Sequence, residues 1–168
     1  SGTQALAGAL IHNHVLALLD LACLGVTKAD IAALSGALKV NNGLRTLHIS
    51  DNSISDASAR VLADALHSNH MLATLRIDYN DISAEGALAI AESLKVNRTL
   101  TSLSLVRNRF GDEGATALAN VLDTNRTLTV LDVQMSWIAN HDLLPRIDDL
   151  LEVNILRQER WERRKAFL

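Results

Sequence analysis

Leu72-Ala73-Thr74-Leu75-Arg76-Ile77-Asp78-Tyr79-Asn80-Asp81-Ile82 decides how this chain folds, because the same spacing of residue types returns every 28 residues. Leu72 has counterparts in Leu16, Leu44, Leu100 and Leu128, and Leu75 in Leu19, Leu47, Leu103 and Leu131. Ile77 corresponds to Leu21, Ile49, Leu105 and Val133, and Ile82 to Val26, Ile54, Phe110 and Ile138. Asn80 repeats as Asn52 and Asn108, with Leu24 and Ser136 in its place in the first and last units. The unit is L-x-x-L-x-L-x-x-N-x-I, without gaps over most of the 168 residues. Self-similarity at such a period marks an array of stacked units.

Within a unit the period changes. Leu75-Arg76-Ile77 alternates apolar and polar residues, as a short strand does. The residues that follow carry apolar side chains at spacings of three and four, as in Ala59, Leu62 and Leu66, or Ala87, Ile90 and Leu94, which places them on one helical face. Thr27, Ser55 and Ser83 stand before successive helices and are expected to cap them through their hydroxyls, with Gly111 in that place in the fourth unit. Asn41, Asn69, Asn97 and Asn125 recur just past the helices, where Asn is expected to take the left-handed conformation that ends a helix. Each unit is strand, turn, helix, turn. A single unit buries too few aliphatic side chains to offset the entropy of ordering it, so neighbours must share one apolar layer.

The pattern resembles the leucine-rich repeat of the ribonuclease-inhibitor type, similar to repeats in NOD-like immune receptors, tropomodulins and Ran GTPase-activating proteins. The resemblance covers roughly residues 5 to 153. It implies an α/β, right-handed leucine-rich repeat solenoid with parallel strands on the concave face and helices on the convex face, and the apolar stripe after Pro145 adds a C-terminal capping helix. It also implies that Asn52, Asn80 and Asn108 form a structural ladder bonded to backbone groups freed by the turn.

The expected organisation is one leucine-rich repeat domain over residues 1–168: a partial repeat over 1–15, full repeats over 16–43, 44–71, 72–99 and 100–127, a last repeat over 128–153 and a helical extension over 154–168. Leu6, Leu10 and Asn13 match only the second half of a unit, so the chain opens inside a repeat, as a fragment of a longer array would. The first strand is unusually apolar, and Leu16, Leu18, Ala22 and Leu24 are expected to form an edge covered by further sequence or by self-association. At the other end, Ile147, Leu150, Leu151, Ile155 and Leu156 continue a helical stripe from Pro145 to about residue 165. The segment Arg157–Leu168 holds five basic and two acidic residues and is expected to project into solvent.

Composition narrows the function. Thirty Leu and twenty-three Ala build an aliphatic core with only 3% aromatics, and the net charge is -3. No apolar run is long enough to span a bilayer, since Asp20 interrupts the longest. The Ala/Leu-rich start lacks the basic flank of a signal peptide. One cysteine, Cys23, excludes an internal disulfide and fits a reducing, cytoplasmic setting; it reads as a half-buried structural thiol. No phosphate loop, zinc-protease helix, nucleophile elbow or calcium loop is present, so neither enzyme nor cofactor is expected. His12 and His14 form a poor chelate at a two-residue spacing, and no metal site is expected.

Function then falls to positions the repeat leaves free. The outward columns of the strands read Asp20, His48, Arg76, Ser104, Asp132; then Ala22, Ser50, Asp78, Val106, Gln134; then Cys23, Asp51, Tyr79, Arg107, Met135, with Trp137 at the rim. His48, Asp51, Arg76, Asp78, Tyr79, Val106, Arg107, Met135 and Trp137 combine the residue types enriched at protein interfaces. The expected function is a non-enzymatic interaction or scaffold module that binds another protein on this face. The resemblance adds two alternatives, a GTPase-activating regulator using Arg107 and Arg109, and an actin-associated capping module. The face mixes carboxylates with its arginines, which disfavours nucleic acid, and no membrane partner is expected.

Overall fold

The computed structural model of the chain describes residues 1–165. Helix α1 (Gly2–Leu10) is followed by five strand–helix units: β1 (Leu18–Asp20) and α2 (Lys28–Leu38), β2 (Thr46–His48) and α3 (Asp56–Ser68), β3 (Thr74–Arg76) and α4 (Ala84–Leu94), β4 (Ser102–Ser104) and α5 (Gly111–Leu122), then β5 (Val130–Asp132) and the long α6 (Leu143–Lys165). The strands form one parallel sheet in sequence order, and the register preserves the period, with Leu19 beside Leu47, Leu47 beside Leu75, Leu75 beside Leu103 and Leu103 beside Leu131. This is the right-handed solenoid expected, strands lining the concave side and helices the convex side. Residues 166–168, the end of the expected extension, lie outside the described residues.

The core is one sandwich between sheet and helices. Leu47, Leu75 and Leu103 from the strands meet Leu66, Leu94 and Leu122 from the helices, all fully buried. Burying an aliphatic side chain contributes roughly 1.5–3 kcal/mol, and here each layer shares that burial with its neighbours.

Two asparagine ladders run through the stack. In the first, Asn80 donates to the carbonyls of Ile49 (3.3 Å), Ile77 (3.0 Å) and Asp78 (3.1 Å) while its Oδ1 accepts from the Asn52 and Ile54 amides (3.1 and 2.8 Å). Asn52 and Asn108 repeat this role, and Ser136 continues it, its hydroxyl donating to Leu105 O (3.1 Å) and accepting from Asn108 N (3.2 Å). Ser136, although not an asparagine, therefore stays in the ladder. Leu24 is outside it and exposed.

The second ladder corrects an expectation. Asn41, Asn69, Asn97 and Asn125 are not left-handed helix ends: none has positive φ, and Asn69 is extended at φ -81°. They are buried side-chain bridges instead. Asn97 donates to Leu66 O (2.7 Å) and Asn69 O (3.1 Å), and its Oδ1 accepts from the Thr99 and Leu100 amides (3.0 and 2.9 Å). Asn154 of α6 extends the series, donating to Asn125 O and Leu128 O (3.0 and 2.8 Å), which locks the terminal helix onto the last repeat.

Helix capping also departs from the hydroxyl pattern. Thr27 caps α2 in a reciprocal box with Asp30, but Ser55 and Ser83 make no side-chain cap. Asp56, on the preceding helix, accepts from the Ser83 and Gly86 amides (2.8 and 3.1 Å) and from the Ser83 hydroxyl (2.7 Å). A carboxylate at a helix start satisfies free N–H groups more strongly than a hydroxyl. Gly111 is the first residue of α5 rather than its cap, with φ +56°, and Phe110 precedes it.

Strand β1 pairs only with β2 among the described residues. Leu18 and Leu24 are exposed there, whereas Leu16 and Ala22 are half-buried. No helix among the described residues is long and apolar enough to cross a membrane.

Candidate functional site

Five residues one repeat apart, Cys23, Asp51, Tyr79, Arg107 and Met135, all hold left-handed backbone, with φ between 54° and 59°. None is glycine, and for an L-residue this region costs about 1–2 kcal/mol. It is held by the stack. The amides of the first four donate to a carbonyl of the next unit, Cys23 to Ser50, Asp51 to Asp78, Tyr79 to Val106 and Arg107 to Gln134, at 2.8–3.0 Å. The turn thus puts five side chains in one row at the end of the strands. Sequence periodicity identified this column as outward; the backbone conformation had no residue-type signal, because glycine is absent from it.

At the carboxyl-terminal end of the row the side chains touch one another. The Arg107 guanidinium lies over the Tyr79 ring at 5.2 Å, and its Nε donates to the Met135 sulfur at 3.1 Å. Arg109 lies over the Trp137 ring at 5.8 Å and pairs with Asp81 at 2.8 Å. Tyr79, Met135 and Trp137 are 52%, 65% and 70% exposed. A cleft of about 290 Å³ is lined by Arg107, Asn108, Arg109, Met135 and Trp137. Arg109 belongs to this cluster although it falls outside the strand columns; the pairing with Asp81, one repeat away, brings it there.

Asp78 does not join them. It is only 3% exposed, and its carboxylate is consumed by the scaffold, accepting from the Ser104 hydroxyl, the Val106 amide (3.0 Å), the Arg76 guanidinium (3.3 Å) and the Ser50 hydroxyl (3.4 Å). Its position as an outward residue does not make it a contact residue. Val106 is half-buried beside it, while Arg76 is exposed.

The amino-terminal end of the face is a hollow of about 390 Å³ lined by Asp20, Ala22, Cys23, His48, Ser50, Asp51, Arg76, Asp78 and Tyr79. Asp20 accepts from the Ala22 amide and faces His48 Nδ1 at 3.6 Å; the amide first and the imidazole second hold its carboxyl below the ordinary value. Cys23 is exposed rather than half-buried. Its thiol donates to Asp51 (3.4 Å), and that bond, with slight desolvation and the charge of Asp51, pushes its pKa up. Among the described residues no group of His, Cys, Asp and Glu is arranged to hold a metal ion.

A family model described as Leucine Rich repeat matches residues 40–63, 68–91 and 96–119. No curated protein matches the sequence significantly. Among solved structures, one titled Leiomodin-1 Actin-Binding Site 2 superposes with a TM-score of 0.84 at 21% identity, covering 99% of this chain and 96% of that one. The tropomodulin C-terminal domain of Caenorhabditis elegans gives 0.84 at 17% identity, with all of both chains covered. At such identities the likeness is one of fold. Residues 40–119 thus carry leucine-rich repeats, in a chain whose described length folds as a leucine-rich repeat solenoid.

Proposed function

We propose that this chain is a non-enzymatic protein-interaction module whose contact surface is the ridge of Tyr79, Arg107, Met135, Arg109 and Trp137, flanked by His48, Asp51, Arg76 and Val106. The observation that carries the reading is the exposure of Tyr79, Met135 and Trp137 in a row braced by two arginines. Aromatic and arginine side chains dominate binding energy at protein interfaces, and here they are pre-ordered by stacking on one another. An exposed free thiol supports a reducing, cytoplasmic setting.

Affinity capture from the native cell tests the reading. The wild-type chain should retain a protein that the Tyr79→Ala/Trp137→Ala variant, with an unchanged circular dichroism spectrum, loses; equal capture by both would discard this face.

A second reading, an actin-associated module, is favoured by one observation: the fold is shared with a structure titled as an actin-binding site. Co-sedimentation with purified actin filaments and a pointed-end elongation assay test it, and no effect on either would remove it. The GTPase-directed alternative gains no specific support from Arg107 and Arg109, which lie over aromatic rings.

A further inference from the structure

The two ends of the ridge differ in charge, and this difference, taken with the interaction reading on which it rests, gives the partner a chemistry. Toward the amino terminus the exposed carboxylates are Asp20 and Asp51, and the one exposed arginine of that hollow, Arg76, is paired with Asp78 at 3.3 Å. Toward the carboxyl terminus the cleft presents Arg107 and Arg109 between Met135 and Trp137. Arg109 is partly neutralised by Asp81, but Arg107 is in no ion pair among the described residues. Its Nε–H donates to the Met135 sulfur and its guanidinium lies over the Tyr79 ring, so the Nη1/Nη2 donor edge is oriented before any ligand arrives.

We infer that the Arg107–Arg109 cleft receives a carboxylate side chain, Asp or Glu, of a partner polypeptide, with an adjacent apolar side chain of that partner on Met135 and Trp137. Guanidinium matches carboxylate geometry with paired N–H donors, and stacking on a ring reduces the rotamer entropy lost when it binds. The exposed thioether and indole supply the apolar half of the contact. An extended polyanion such as single-stranded nucleic acid fits poorly. Asp51 stands in the same column two repeats before Arg107, roughly 10 Å away by the spacing of strands, and would repel the next charge along such a ligand. One acidic residue in an otherwise apolar or basic segment suits both ends of the face.

Selection of random dodecapeptides on the immobilised wild-type chain tests this directly, with Arg107→Gln as the comparison. Arg107 is exposed, so the variant should keep the wild-type melting temperature. Enriched peptides should share an Asp or Glu next to a large apolar residue. Their affinity should fall by roughly tenfold in Arg107→Gln, the size of a lost charge-assisted hydrogen bond, and should weaken with added salt. Peptides without a shared acid, peptides indifferent to Arg107→Gln, or no enrichment at all would overturn the proposal. Oligothymidylate that binds as tightly as the best peptide and is lost in the same variant would also overturn it. Cellular capture that depends on Tyr79 and Trp137 but not on Arg107 would leave the interaction face standing and remove only the acidic partner.

Discussion

The Arg107 guanidinium lies 5.2 Å from the centre of the Tyr79 ring, one repeat away, and both residues hold left-handed backbone at φ 54°. Local strain and long-range packing therefore act on the same two positions. In helices and strands, glycine is less stable than alanine; here the order should reverse. Tyr79→Gly is expected to be about 1 kcal/mol more stable than Tyr79→Ala in urea denaturation, because only alanine pays for the left-handed region. Equal stability would show that the stack does not enforce this conformation.

The second asparagine ladder separates two readings of the same residue. Were Asn97 there for a left-handed helix end, Asn97→Gly would be tolerated. Its side chain instead makes four hydrogen bonds to backbone groups, three of them buried, so both Asn97→Gly and Asn97→Ala should cost about 3 kcal/mol or more by leaving carbonyls and amides unpaired. Denaturant midpoints of the two variants check this.

Gly86 sits where α4 meets the capping carboxylate of Asp56. A Cβ there would stand 2.6 Å from Asp56 Oδ1 and 2.8 Å from Ile82 Cγ2. Gly86→Ala is expected to destabilise by about 1–3 kcal/mol, as overpacking does. In a double-mutant cycle with Asp56→Ala the losses should be less than additive, since the second substitution removes both the cap and part of the clash.

Acid stability should report on Asp30. The hydroxyl of Ser1 first, then the Thr27 amide and hydroxyl, hold its carboxyl at about 2. A carboxyl depressed in the folded state stabilises above its unfolded pKa, 3.8, and that contribution is lost as pH falls from there through about 2. Asp30→Asn should flatten the fall in melting temperature between those values. An unchanged acid limb would mean that other carboxylates govern it.

Cys23 should be a sluggish thiol. Removing the Asp51 charge and its hydrogen bond in Asp51→Asn should lower the thiol pKa, so alkylation by iodoacetamide near neutral pH should speed up. No acceleration would show that Asp51 does not control this thiol.

The period of 28 residues was enough, read from the sequence alone, to place strands, helices and the aliphatic core. Each follows from local periodicity repeated in register, so a one-dimensional pattern carries it, and the Asn52, Asn80 and Asn108 ladder was what the resemblance implied. What only the tertiary structure decided are relationships between residues about one repeat apart that are neighbours in space. It turned Asp78 inward onto Ser104, Val106, Arg76 and Ser50, capped α4 with Asp56 rather than Ser83, and made helix-end asparagines into bridges. It also drew Arg109 to Trp137. Residue type shows what a side chain can bond to, but stacking determines which partners come within reach. That is why the framework and the outward column of Tyr79, Arg107 and Met135 were legible before folding, while the contacts that join them into a ridge became legible only after it.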